Sequence, residues 1–276
     1  MADSEAAQAE APMEQGAAAD DTWRLRVLLA RFAVIGTFLA AWQGAVSFGL
    51  IDSFWVSSPV LVSRELWQEI LSGDLIRNVG ITVFEALIAF VISSALGIAA
   101  GLMLARSPFW DEVLAPLVLA LNSLPRVALA PLIILWFGIG IVAKVVTAFT
   151  LVFFILLVNT LGGAKNVDTD ILTIARLMGA SRRDILWKVT LPSALPWIFA
   201  GLNIGLTYAL LGVIVAEILA SNQGIGYVIS SGAANFDTAA VFAGLVTLAV
   251  VAWLFSAIMR KVEARLLRWK PAVNSA

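Results

Sequence analysis

The 276-residue sequence contains neither histidine nor cysteine, which removes imidazole general bases, thiolate nucleophiles and the usual zinc and haem ligand sets. It also lacks a G-x-x-x-x-G-K-[ST] run that could cradle nucleotide phosphates. What remains for chemistry is a few ionisable side chains inside long apolar runs, where a charge is costly and marks a functional position. Arg126, beside Pro125, can attract an anionic solute; equally it can pair with a carboxylate or cap a broken helix. Asn122 and Ser123 just before it can hydrogen-bond a solute or satisfy the kink. Apart from Asp111 and Glu112 at a helix start, Glu217 and Glu85 are the acids within apolar runs, and Glu217 can close an outer gate, pair with Arg126 or sit as a plain interfacial acid. Asn159, Asn203 and Tyr208 fit interhelical hydrogen bonds or solute contacts. With no histidine, and no aspartate in those runs beyond Asp111 in a first turn, no catalytic pair is evident, which counts against a membrane hydrolase.

The elements that must carry these residues follow from composition. Hydrophobic residues make up 61% and charged residues 13%, with a mean hydropathy of +0.93, whereas a soluble domain is about 45–50% apolar and about 25% charged. Apolar runs near 27–50, 79–105, 109–137, 141–163, 194–220 and 238–259 predict an all-α polytopic membrane protein of about six transmembrane helices. Pro125 and Pro131 each remove a backbone donor from the third run, which predicts a broken helix there. Gly97 with Gly101, and Gly201 with Gly205, sit at the four-residue spacing that lets helices approach closely, placing spans two and five in the bundle centre. Gly224-Ile225-Gly226-Tyr227 reads as a flexible outer turn.

Residues 1–22 hold six acids and no base, and their Ala/Glu/Gln/Asp composition predicts a disordered acidic tail rather than a signal peptide. The remainder has 18 basic and 13 acidic residues, a net of +5. With six spans, 14 of these basic residues fall on the side of the N-terminus and three, Arg64, Arg77 and Lys144, on the other, so both termini are expected to be cytoplasmic. The body is expected over 23–270, with a C-terminal tail at 271–276.

Between spans four and five lies the longest polar stretch of the body, about 164–193. Asp168 can cap a helix whose apolar positions are Ile171, Ile174, Leu177 and Met178, and Gly179 suits a left-handed end. Ser181 and Asp184 offer a capping box for a second helix carrying Ile185, Leu186 and Val189, which Leu191-Pro192 is expected to stop. Arg176, Arg182, Arg183 and Lys188 give the segment a basic face. Such a pair of amphipathic helices can dock into the groove of a soluble partner, or it can rest on lipid headgroups with its basic residues only setting topology.

The run Ala175, three residues, Gly179, nine residues, Val189-Thr190-Leu191-Pro192 resembles the cytoplasmic loop signature of permeases of ATP-binding-cassette importers, in which EAA precedes the glycine and I-x-LP ends the motif. Thr173 and Ile174 replace the first Glu and Ala, and Val189 stands for Ile. The wider segment ARLMGASRRDILWKVTLPSALPWIFAGL, with LAPLIILWFGIG before it and VAEILASNQGIGYVI after it, is similar to the branch that imports nitrate, taurine and alkyl sulfonates. The resemblance implies a non-catalytic type I importer permease in the bacterial inner membrane, paired with an identical copy. Two ATP-binding subunits, which hold ATP and Mg, would dock on 168–191 through the segment that includes Ala175, Arg176, Gly179–Asp184, Leu191 and Pro192. Ala180 belongs to the same set. An external binding protein would deliver a small oxyanion along a route touching Asn122, Arg126, Tyr208 and Glu217. No cofactor in this chain and no nucleic-acid partner are implied. The competing class is an ion-gradient-driven secondary transporter, which usually shows broken helices in both halves.

Overall fold

A computed structural model describes residues 11–266, with side chains at Trp23 and from Leu25 onward. The acidic segment 1–22 therefore lies only partly within the described residues and the segment 271–276 wholly outside them. The chain divides into two compact units, residues 1–64 and 65–276.

The first unit is built on α1 (Ala11–Ser47) and the short α2 (Ser53–Val56), and α3 (Pro59–Ser72) starts within it. Asp52 caps α2 by accepting the Phe54 N–H at 2.9 Å. The stretch Leu25–Ser47 of α1 is long and apolar enough to cross a membrane.

The second unit carries α4 (Asp74–Ala105), α5 (Pro108–Ser123), a 3₁₀ turn (Arg126–Leu129), α6 (Ala130–Phe137) and α7 (Ile141–Lys165). After these come α8 (Thr169–Leu177), α9 (Arg182–Ile185), a π-turn (Leu186–Thr190), α10 (Leu191–Ala220), α11 (Ile225–Ala234) and α12 (Thr238–Leu266). Five helical stretches of the described chain qualify as membrane spans by length and hydropathy, and α5 with α6 makes a sixth if the bent pair is one span. The two halves of that pair meet at 79°. The break sits at extended Leu124 and at Pro125. Pro131 costs nothing because it lies in the first turn of α6, where the donor would be unpaired anyway.

α7 packs along both α4 and α10. Missing side chains allow the close approach. A Cβ at Gly97 would lie 2.7 Å from the Phe153 carbonyl oxygen, and one at Gly101 2.8 Å from Thr160 Cβ. From the α10 side, a Cβ at Gly201 would stand 3.0 Å from Asn159 Cβ and one at Gly205 2.8 Å from Leu156 Cδ2. All four glycines thus face α7, so the central helix of the unit is the fourth apolar run, flanked by the second and fifth. The apolar core joins Ala86, Ala89, Ala148, Leu210, Val213, Ile214, Ile225 and Val251. Large apolar side chains such as Phe84 and Trp253 point outward, as a bilayer requires.

Candidate coupling and translocation sites

α8 is fixed at both ends by local chemistry. Asp168 accepts the Asp170 N–H at 2.8 Å. At the other end Ala180 N–H donates to the Ala175 carbonyl and Gly179 N–H to the Arg176 carbonyl, both at 3.0 Å, with Gly179 at φ +81°. This is a Schellman closure, which needs a residue in the left-handed region that only glycine occupies without strain. Ser181 and Asp184 then form a complete capping box: Asp184 N–H donates to Ser181 Oγ at 3.1 Å, and Ser181 N–H to Asp184 Oδ2 at 3.3 Å. Lys188 Nζ stands 2.6 Å from Asp184. That charge-assisted hydrogen bond, with help from Ser181, pulls the exposed Asp184 carboxyl down to about 2.

Leu191-Pro192 does not stop the second helix of the loop. α9, the π-turn and α10 run on as one apolar stretch, Arg182–Ala220. Pro192 lacks a donor and its ring would crowd the preceding turn, but the widened turn at Leu186–Thr190 lies just before it and accommodates the mismatch. The second helix of the loop, α9, is therefore directly continuous with the fifth span. Leu172 lines the body-facing side together with Ile185 and Leu186. Ile174, Leu177 and Met178 turn outward, with Leu177 and Met178 each 83% exposed, and Arg176, Arg182 and Arg183 are also exposed.

Arg126 lies at the break in the α5–α6 pair. Its guanidinium donates to the carbonyls of Thr150 (3.1 Å), Leu151 (3.3 Å) and Asn122 (3.3 Å) and to Asn122 Oδ1 (3.0 Å). It also lies 5.3 Å from the centre of the Phe154 ring. Dipoles hold it, and no carboxylate of the described residues pairs with it. Ser123 Oγ serves the kink by donating to the Leu119 carbonyl at 2.8 Å. Tyr208 is 41% exposed on α10. Asn203 reaches across to Glu263 on α12 at 2.8 Å, while Asn159 bonds back to Ile155 of its own helix.

Glu217 is elsewhere. Its side chain is fully buried, accepts from Thr82 Oγ1 at 2.9 and 3.0 Å and takes the Gly226 N–H at 2.8 Å. Lys144 bridges Glu85 at 3.0 Å and Glu217 at 3.8 Å. Two sequence expectations change here. Lys144 is not an outer-loop base, because α7 starts at Ile141 and the lysine is drawn inside by two carboxylates, leaving it 3% exposed. Gly224–Tyr227 is not a loose turn either: it opens α11, whose first N–H groups are held by Asn78, Thr82 and Glu217. The signal was present in the sequence as two acids and one lysine in apolar surroundings, but their pairing is non-local.

Residues 93–268 match the family described as the binding-protein-dependent transport system inner membrane component. The chain belongs to this family. Other members are similar along most of this permease. A Bacillus subtilis protein named as an aliphatic sulfonates transport permease, SsuC, is 33% identical over 84% of each chain. The riboflavin transport system permease protein RibX of Chloroflexus aurantiacus is 34% identical, covering 84% of this chain and 87% of its own. The taurine transport system permease protein TauC of Escherichia coli is 28% identical over 91% and 94%. In fold, the permease superposes on an inward facing structure of the MetNI methionine ABC transporter with a TM-score of 0.64 at 18% identity, over 71% of this chain and 98% of the other. It is thus an all-α permease of the ABC importer kind, and its sequence resemblance and its architecture agree.

Proposed function

We propose that this permease works as a pair of identical copies in the bacterial inner membrane, with both termini cytoplasmic. Two separate ATP-binding subunits, which hold ATP and Mg, engage the 168–191 loop from below, and an external binding protein delivers the solute from above. The single observation that carries the proposal is the ridge Ile174, Leu177 and Met178, held outward by a glycine closure one turn before α9, which runs on into α10. An amphipathic helix with its apolar face turned out gains by entering a groove of a soluble partner. Movement of that partner would then pass straight into the fifth span, shifting the population between outward and inward states.

The cargo we infer is a small oxyanion of the sulfonate or taurine type. Relatives named for aliphatic sulfonate and taurine transport support it, as does Arg126, whose charge meets only neutral dipoles and an aromatic face. A second reading, a flat nitrogen heterocycle, is favoured by the equally similar riboflavin and formylaminopyrimidine permeases and by the Phe149–Phe153 stack beside Phe154. Reconstitution of the permease with its ATPase and binding protein decides the class. Solute should accumulate only while ATP is hydrolysed, and full uptake without the ATPase, driven by an ion gradient, would refute it. Competition between taurine and riboflavin for binding-protein-dependent uptake separates the two cargoes.

A further inference from the structure

A cavity of about 430 Å³ opens where three spans end, with Ala105 closing α4, Ala164 near the end of α7 and Arg182 opening the run into α10. Three guanidinium groups, those of Arg106, Arg176 and Arg182, line it from three different elements. None makes an ion pair with any described residue. The acids nearest in sequence to Arg106 and Arg182 are already engaged, since Asp111 pairs with Lys165 at 2.5 Å and Asp184 with Lys188 at 2.6 Å. The site therefore presents three positive charges and no acid in its lining. Its remaining wall is apolar, from Pro108, Leu172, Ile185 and Leu186.

The depth of the cavity is given independently by its aromatic neighbours. Phe109 and Trp110, which follow Pro108, and Trp187, which follows Leu186, are 66%, 55% and 57% exposed. Aromatic side chains displayed at span ends mark the headgroup level of a bilayer. At that level the abundant anion is a phosphodiester, and arginine clusters between helix ends recognise it by charge-assisted hydrogen bonds.

We propose that Arg106, Arg176 and Arg182 form a phosphate-binding site that holds the headgroup of an anionic phospholipid against the inner side of the coupling loop. The apolar wall takes the glycerol and the first acyl carbons. The site touches α8 on the Leu172 side, opposite the Leu177–Met178 ridge, so lipid and soluble partner use different faces of one helix. A bound headgroup would brace α8 and α9 against the ends of α4 and α7, making the stiffness of the loop depend on membrane composition.

Native mass spectrometry of the purified full chain tests this, with phosphatidylglycerol, phosphatidylcholine and sodium phosphate as separate additions. Phosphatidylglycerol adducts should survive where phosphatidylcholine adducts do not. The affinity for phosphatidylglycerol should fall at least about tenfold in R106Q/R176Q/R182Q, remain within about twofold in R260Q/K261Q, and be partly restored in R106K/R176K/R182K. Lipid-free melting temperatures of the variants report whether they are folded. Retention of inorganic phosphate in preference to lipid, lost in the glutamine variant, would assign the same three arginines to a soluble phosphate. Equal phosphatidylglycerol binding in wild type and the glutamine variant would overturn the site. So would unchanged lipid binding combined with loss of ATPase-subunit binding, which would give the arginines to a protein partner.

Discussion

Glu217 Oε2 accepts the backbone N–H of Gly226 at 2.8 Å, so a carboxylate near the end of the fifth span sits on the first turn of α11. A helix N-terminus favours a negative charge there, and Lys144 supplies a full positive charge 3.8 Å away. Lys144 is shared with Glu85, which makes it the residue on which both acids depend.

Removing one partner from a buried ionic cluster leaves uncompensated charge and costs about 3–5 kcal/mol. K144M should therefore lower stability by about that amount in chemical denaturation of the detergent-solubilised chain. The E85Q/K144M pair should recover part of the loss. Strict additivity of the two single changes would show that the residues do not interact.

α11 can approach Glu217 because Gly226 has no side chain. A Cβ there would meet Glu217 Cβ at 2.6 Å and the Ile214 carbonyl oxygen at 2.7 Å. G226A should displace α11 at a cost of about 1–3 kcal/mol and speed amide exchange at residues 224–228. Unchanged exchange would mean that the helix is held by other contacts.

The box at the start of α9 sets a pH window. The Asp184 carboxyl is held down to about 2 by Lys188 and Ser181, so its contribution is complete above the ordinary value of 3.8 and disappears as the pH falls from there toward 2. The protection factor of the Asp184 amide, its exchange relative to the intrinsic rate at each pH, should hold at pH 5 and fall below about pH 4. K188M should move that fall to higher pH.

Much of this was readable before any coordinates. The six apolar runs, the break at Pro125, the cap at Asp168, the glycine end at Gly179 and the Ser181–Asp184 box are all local, set by residues within a few positions of one another. What the sequence concealed is non-local or depends on a subtle register change. Lys144 reads as a loop base until Glu85, 59 positions away, is placed beside it. Leu191-Pro192 reads as a stop because a local rule for proline does not foresee the π-turn before it. Glu217 reads as a partner for Arg126, yet α11 folds back to claim the carboxylate.

Arg126 connects the fold to cargo selection. In R126Q the polar hydrogen bonds to Asn122 can persist while the charge is lost. Transport of an anionic solute should then fall about tenfold or more, the equivalent of about 1.4 kcal/mol, with assembly unchanged. A neutral heterocyclic cargo would be carried at near wild-type rate, and that result would support the second reading of the cargo.

The Gly179 closure should be indispensable to coupling. A β-branched residue at φ +81° is strained by about 1–2 kcal/mol, so G179V should leave the spans assembled but reduce transport per ATP hydrolysed. The most direct test, however, is contact. A photocrosslinker placed at Met178 in membrane vesicles should react with an ATP-binding subunit from the cytoplasmic side, with a yield that changes on ATP binding. Labelling from the external side, or crosslinks to lipid alone throughout turnover, would contradict the account.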